Sequence, residues 1–165
     1  MKRILTILFV LCVHLSFSQS YFYLEDIKLK KKIDFTDNEN NVVKAIDYLL
    51  STPIDEKNYD RKACDRFIIR YAEKCSTVKI TIGPPLTKMY GTNTELLVFY
   101  MGLWMKSTFN NKNFTTEQHE KYIFTEIYKY SKAGNNIEIN EAIKALIKSG
   151  DENTIDNWIS EYKEK

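Results

Sequence analysis

Glycine and proline are scarce in this chain, at 5 and 3 of 165 residues. So few glycines leave little scope for backbone turns that cradle phosphate, and no P-loop or dinucleotide-binding fingerprint occurs. Histidine is scarcer still, with His14 and His119 alone. His119-Glu120 starts like the H-E-x-x-H helix of zinc proteases, but Ile123 stands where the second imidazole belongs. Zinc gripped from one helix needs two imidazoles one turn apart, so no metal site is expected. No G-x-S-x-G elbow is present, and no C-x-x-C pair exists for thioredoxin-like redox chemistry or covalent haem attachment. No cofactor is expected.

What is present begins at the N-terminus. Met1-Lys2-Arg3 is a positive start, Ile4 to Phe17 is an apolar run, and Ser16-Phe17-Ser18 offers the small residues a signal peptidase reads. Residues 1–18 are therefore expected to be a secretory signal peptide, with Gln19 as the new N-terminus and the periplasm or the exterior as destination. The run is short of the about 20 residues a membrane span needs, so no transmembrane span is expected after cleavage. Leu11 before Cys12 argues against a lipoprotein. Removing Lys2 and Arg3 takes Lys+Arg from 24 to 22, equal to the 22 Asp+Glu. A balanced mature chain has no global charge with which to attract nucleic acid or anionic membranes.

Beyond the leader, residues 19–37 read as an arm or one short helix, and residues 38–165 as a single helical domain. From Asn38, Val42, Val43, Ile46, Leu49 and Leu50 recur at helical spacing until Pro53. A second helix over about 56–74 carries Cys64, Phe67, Ile68, Tyr71 and Cys75 on one stripe. Val78 to Ile82 alternates with period two and ends at Gly83-Pro84-Pro85, which predicts an extended connector laid over helices. Thr92 to Glu95 has capping-box form, and the helix it opens has no charge from Leu96 to Met105. Such a helix belongs at the centre, with Gly102 permitting one close approach. Thr115 or Thr116 caps a helix to about Lys132 with Ile123, Ile127 and Tyr130 inward. Ile139, Ala142, Ile143, Leu146 and Ile147 mark another, and Ile155, Trp158, Ile159 and Tyr162 the last. The expected fold is all-α: an irregular bundle of about five to six helices, or a short stack of helical hairpins.

Cys64 and Cys75 remain after cleavage, in a compartment where disulfides form. Eleven residues along a helix separate them by roughly 16 Å, beyond the about 7 Å a disulfide tolerates between Cα atoms. Free, buried thiols are expected. Asp55-Glu56 and Asp151-Glu152 lie near helix starts, where negative charge complements the helix dipole.

The only arginines past Arg3 are Arg61, Arg66 and Arg70, within ten residues of one helix. Arginine forks suit carboxylates and phosphates, which makes Arg66 and Arg70 candidate binding residues. The alternative is a solvated face with Asp65 paired to Arg61 and Glu73 to Arg70. Eleven tyrosines form the second uneven feature. Tyr71, Tyr100, Trp104 and Trp158 are expected in the core, and Tyr90 is expected to be exposed as a third candidate binding residue.

The order DRKACDRFIIRYAEKC, VKITIGPPL and ELLVFYMGLWMKS, over roughly residues 40–110, resembles small exported helical proteins of bacteria that carry no assigned function. The resemblance implies a bacterial envelope or secreted location and carries over no activity or site. The expected role is an exported non-catalytic binding or protein-interaction domain with a protein or small-molecule partner. Two alternatives stand beside it. One is a hydrolase using carboxylates with His119, and the other an apolar-ligand carrier lined by the 96–105 helix.

Overall fold

The computed structural model describes residues 20–91, 93–149 and 154–163. The signal-peptide reading of residues 1–18 therefore lies outside the described residues, as do Thr92 of the capping box and the Asp151-Glu152 pair. Among the described residues the chain forms eight helices and no strand. They are α1 (Tyr23–Asp26), α2 (Lys32–Ser51), α3 (Tyr59–Lys74), α4 (Pro84–Tyr90), α5 (Thr94–Asn110), α6 (Thr116–Lys132), α7 (Glu141–Lys148) and α8 (Ile155–Lys163).

The all-helical reading holds, but five to six helices is too few. The two additional elements are α1 and α4. In α4, Pro84 and Pro85 occupy the first helical positions, where the missing N–H costs nothing and the fixed φ favours a helix. Prolines taken as a stop signal are thus a start signal. The other boundaries moved for similar local reasons. Helix α2 begins at Lys32 rather than Asn38, because Asp34 accepts the backbone N–H groups of Lys30 and Lys31 at 2.8 Å each. Asn58 caps α3 through Arg61 N, and Asn93 caps α5 through Leu96 N. Asn140 caps α7, which leaves Ile139 outside the helix and 45% exposed.

Helix α5 is the central element. It packs on α2, α3, α4 and α6. Its buried residues face all directions: Leu96, Val98, Phe99, Tyr100, Leu103, Trp104 and Met105 are all core. Gly102 allows the close approach of α2, since a Cβ there would meet Ile46 Cδ1 at 2.9 Å and Ile68 Cδ1 at 3.2 Å. On one side lie α2 and α3, with α1 laid on α3; on the other, α6 carries α7 and α8, and α4 packs against both of these. Leu24, Leu29 and Phe35 join the same core, so the arm is part of the bundle's packing.

Three core tyrosines explain part of the tyrosine load. Each buries its ring and donates its hydroxyl to a backbone carbonyl: Tyr71 to Phe35 at 2.8 Å, Tyr100 to Thr81 at 2.7 Å, and Tyr130 to Thr52 at 2.8 Å. Thr52 and Thr81 lie outside helices, where carbonyls lack an intrahelical donor. Tyrosine serves there because one end of it is apolar and the other is a donor.

The connector is extended and pairs with no strand. Val78 and Ile80 pack on the core, whereas Lys79, Thr81 and Ile82 are exposed. Among the described residues, the hydroxyl of Tyr100 on Thr81 O is the one hydrogen bond made to the backbone of residues 76–82.

Candidate functional site

The three arginines of α3 do three different things. Arg61 is the largest fully buried side chain and is 1% exposed. Its Nη1 donates to the carbonyls of Leu49 and Thr52 at 2.7 Å each, with Thr52 Oγ1 at 3.0 Å. These groups close the C-terminal end of α2, where orphan carbonyls and the helix dipole favour a cation. Nη2 reaches Glu95 Oε2 of α5 at 3.0 Å. The expected Asp65–Arg61 surface pair is therefore replaced by a buried junction of α2, α3 and α5. Asp65 stands beside it with Oδ1 buried and unpartnered. Burial, reinforced by the charge of Glu95, pushes its carboxyl up to about 7 against the pull of Arg61 and Arg66.

Arg66 and Arg70 hold the N-terminal arm. Arg66 pairs with the Glu25 carboxylate, with Nε at 3.1 Å from Oε1. Arg70 donates to Leu24 O at 2.6 Å and Glu25 O at 3.1 Å, at the end of α1. Asp60, in the first turn of α3, accepts Tyr21 N at 2.6 Å and Ser20 Oγ at 3.0 Å. In this structure the two forks are thus engaged with the chain's own arm, and Glu73 is not the partner of Arg70. Tyr90 is half-buried at the end of α4 and packs on the core instead of standing free.

His119 is 7% exposed. Its ring stacks on Trp104 with centroids 4.8 Å apart, and Nδ1 lies 2.6 Å from Ser107 Oγ. Ser107 Oγ also lies 2.8 Å from Trp104 O, so it donates there and accepts from the imidazole N–H. Burial lowers the pKa of this histidine from 6.5. The neighbouring Glu120 turns elsewhere, pairing with Lys163 of α8 at 2.7 Å. Among the described residues, no carboxylate hydrogen-bonds His119. Cys64 and Cys75 are free and buried; burial raises the Cys64 thiol further from ionisation, and Cys75 Sγ lies 3.2 Å from Thr77 Oγ1.

The residues of the 96–105 helix fill the core and line neither of two surface cavities. One, of about 470 Å³, lies between α7 and α8 over Trp158, with Ser149 and Thr154 on its rim; these flank residues 150–153, outside the described set. The other, of about 400 Å³, is enclosed by described elements alone. Thr36 and Glu39, one turn apart on α2, form one wall; Thr77 and Val78 of the connector form the second. Phe109 in the last turn of α5 and Lys112 just beyond it form the third. Thr108 also borders it, but its hydroxyl is committed to Trp104 O at 2.9 Å.

Glu39 is half-buried and Lys112 exposed, and among the described residues neither makes an ion pair or a hydrogen bond through its side chain. Glu39 lies close enough to the core to add to burial and Cys75 in raising the Tyr71 phenol. Apolar surface from Val78 and Phe109 lies between polar groups from three elements. No sequence motif announces this cluster, because its members are dispersed over the 77 residues from Thr36 to Lys112 and meet through packing alone. No group of three or more His, Cys, Asp or Glu side chains suited to a metal ion occurs among the described residues. No described helix is long and apolar enough to cross a membrane. The chain matches no protein-family model, no curated protein and no solved structure.

Proposed function

We propose that this chain is an exported, non-catalytic binding domain whose ligand site is the cavity between α2, the connector and the end of α5. The observation that carries the reading is that Glu39 and Lys112 border one cavity of about 400 Å³ with no partner for either charge among the described residues. Binding cavities are concave, mostly apolar, and carry a few polar groups that orient a ligand; their volumes start at about 300 Å³. The burial of His119 against Trp104, with no carboxylate hydrogen-bonded to it among the described residues, favours binding over hydrolysis, since a general base must reach both its orienting group and the substrate. Export rests on the N-terminal charge, apolar run and small-residue cleavage pattern.

The test is an NMR screen of the isotope-labelled mature chain against a library of small polar molecules and short peptides. Binders are expected to shift the resonances of Thr36, Thr77, Val78 and Phe109 together. Binders that shift only residues remote from this cavity would overturn the assignment.

A second reading is favoured by the connector. Apart from Thr81 O its backbone has no hydrogen-bond partner among the described residues, and Ile82 is 61% exposed, an arrangement that accepts an extended partner segment as an added strand. Peptides selected from a displayed library for binding the protein would lose affinity on Ile82→Lys if they dock there, and keep it if they do not.

A further inference from the structure

The charge arrangement of the cavity points to a class of ligand. We infer that the site takes a small zwitterion, an amino acid or dipeptide with an apolar side chain, its ammonium held by Glu39 and its carboxylate by Lys112. The inference rests on the binding-domain reading and specifies it. A lone carboxylate on a cavity wall would select cations, and a lone lysine would select anions. Here one of each borders the same space, on α2 and beyond α5, while Val78 and Phe109 supply apolar contact.

Among the described residues, neither charge is consumed inside the protein, whereas several other surface charges form ion pairs. Lys106 pairs with Asp47, Lys121 with Asp156, and Lys144 with Glu141. Glu39 and Lys112 border the same cavity and still do not pair. A ligand that bridges them satisfies both at once and needs no change in net charge of the complex. The hydroxyls of Thr36 and Thr77 add neutral hydrogen-bonding groups on the same walls. A singly charged ligand of the same shape would leave one of the two groups unmatched, and discrimination follows from that difference.

Titration calorimetry and NMR with four probes test this: phenylalanine, glycyl-phenylalanine, phenethylamine and 3-phenylpropionate. The expected result is binding of one or both zwitterions with shifts at Thr36, Val78 and Phe109, and affinity for either singly charged probe lower by about tenfold or more. Glu39→Gln and Lys112→Gln should each weaken the zwitterion by about tenfold, with unchanged thermal unfolding as evidence that the fold is intact. Equal binding of the singly charged probes at the same resonances would overturn the zwitterion inference and leave the cavity reading standing. Shifts confined to other regions would overturn both. No binding by any of the four probes would overturn the zwitterion inference.

Discussion

Arg61 on α3 and Glu95 on α5 meet at 3.0 Å, with the guanidinium almost wholly shielded from water and the carboxylate at the protein's edge. The same guanidinium closes the end of α2, so one side chain joins three helices. Removing it strands the Leu49 carbonyl and the Glu95 carboxylate and leaves Thr52 O with the Tyr130 hydroxyl alone. Arg61→Met is expected to cost roughly 3 kcal/mol in urea unfolding. Arg61→Lys should recover little of that, because a single ammonium cannot reach two directions as a planar fork does. Recovery of full stability by lysine would refute the fork argument.

Asp65 sets a pH dependence. Its carboxyl titrates near 7 in the folded protein against 3.8 unfolded. Between those values the native state holds the extra proton, so this group's contribution to stability falls as pH rises from 3.8 to about 7 and is constant above. Asp65→Asn should abolish that fall and be more stable than the parent at pH 8, as measured by denaturant midpoints across pH.

His119 titrates in the opposite sense. Burial depresses its folded pKa below 6.5, so its contribution is intact above 6.5 and is lost as pH falls below that value. In an Asp65→Asn background the remaining acid-side loss should therefore shrink on His119→Gln, compared at pH 7 and pH 5. An unchanged acid limb would mean that other groups dominate it.

Gly102 marks the closest crossing of α2 and α5. Alanine gains about 1 kcal/mol in helix propensity but places a methyl 2.9 Å from Ile46 Cδ1, in a core where overpacking costs about 1–3 kcal/mol. A net loss of about 1 kcal/mol is expected for Gly102→Ala. Combining it with Ile46→Val, which removes that Cδ1, should cost less than the sum of the two single changes. Strict additivity in the double-mutant cycle would contradict the close approach.

Arg70 carries the arm through two carbonyls at the end of α1. Arg70→Ala should cost about 1–2 kcal/mol locally, read as faster hydrogen exchange over residues 21–29. Exchange within α5 should change far less, because α1 packs chiefly on α3 whereas α5 is held by α2, α3, α4 and α6.

Much of the helix content was legible from residue patterns alone. Periodicity places a helix wherever apolar residues recur at three and four; α3, α5, α6, α7 and α8 follow from it to within a few residues of their ends, and α2 to within six residues of its start. Of the short elements, α1 lies where an arm or one short helix is expected, and α4 is not expected at all. Four residues in α1 and seven in α4 are too few to show a period, and the two prolines of α4 mean start or stop depending on which side the helix lies.

The candidate site was not legible at all. Arg66, Arg70 and Tyr90 stood out by residue type, yet they hold the arm or pack on the core, while Glu39 and Lys112 stood out by nothing. The sequence by itself determined that α5 is central, since a run from Leu96 to Met105 without charge has no face for water. Only the tertiary structure decided where the charges go. Arg61 is buried and Lys112 is not, because burial of a charge depends on partners brought in from α2 and α5, and no local pattern in α3 encodes their arrival.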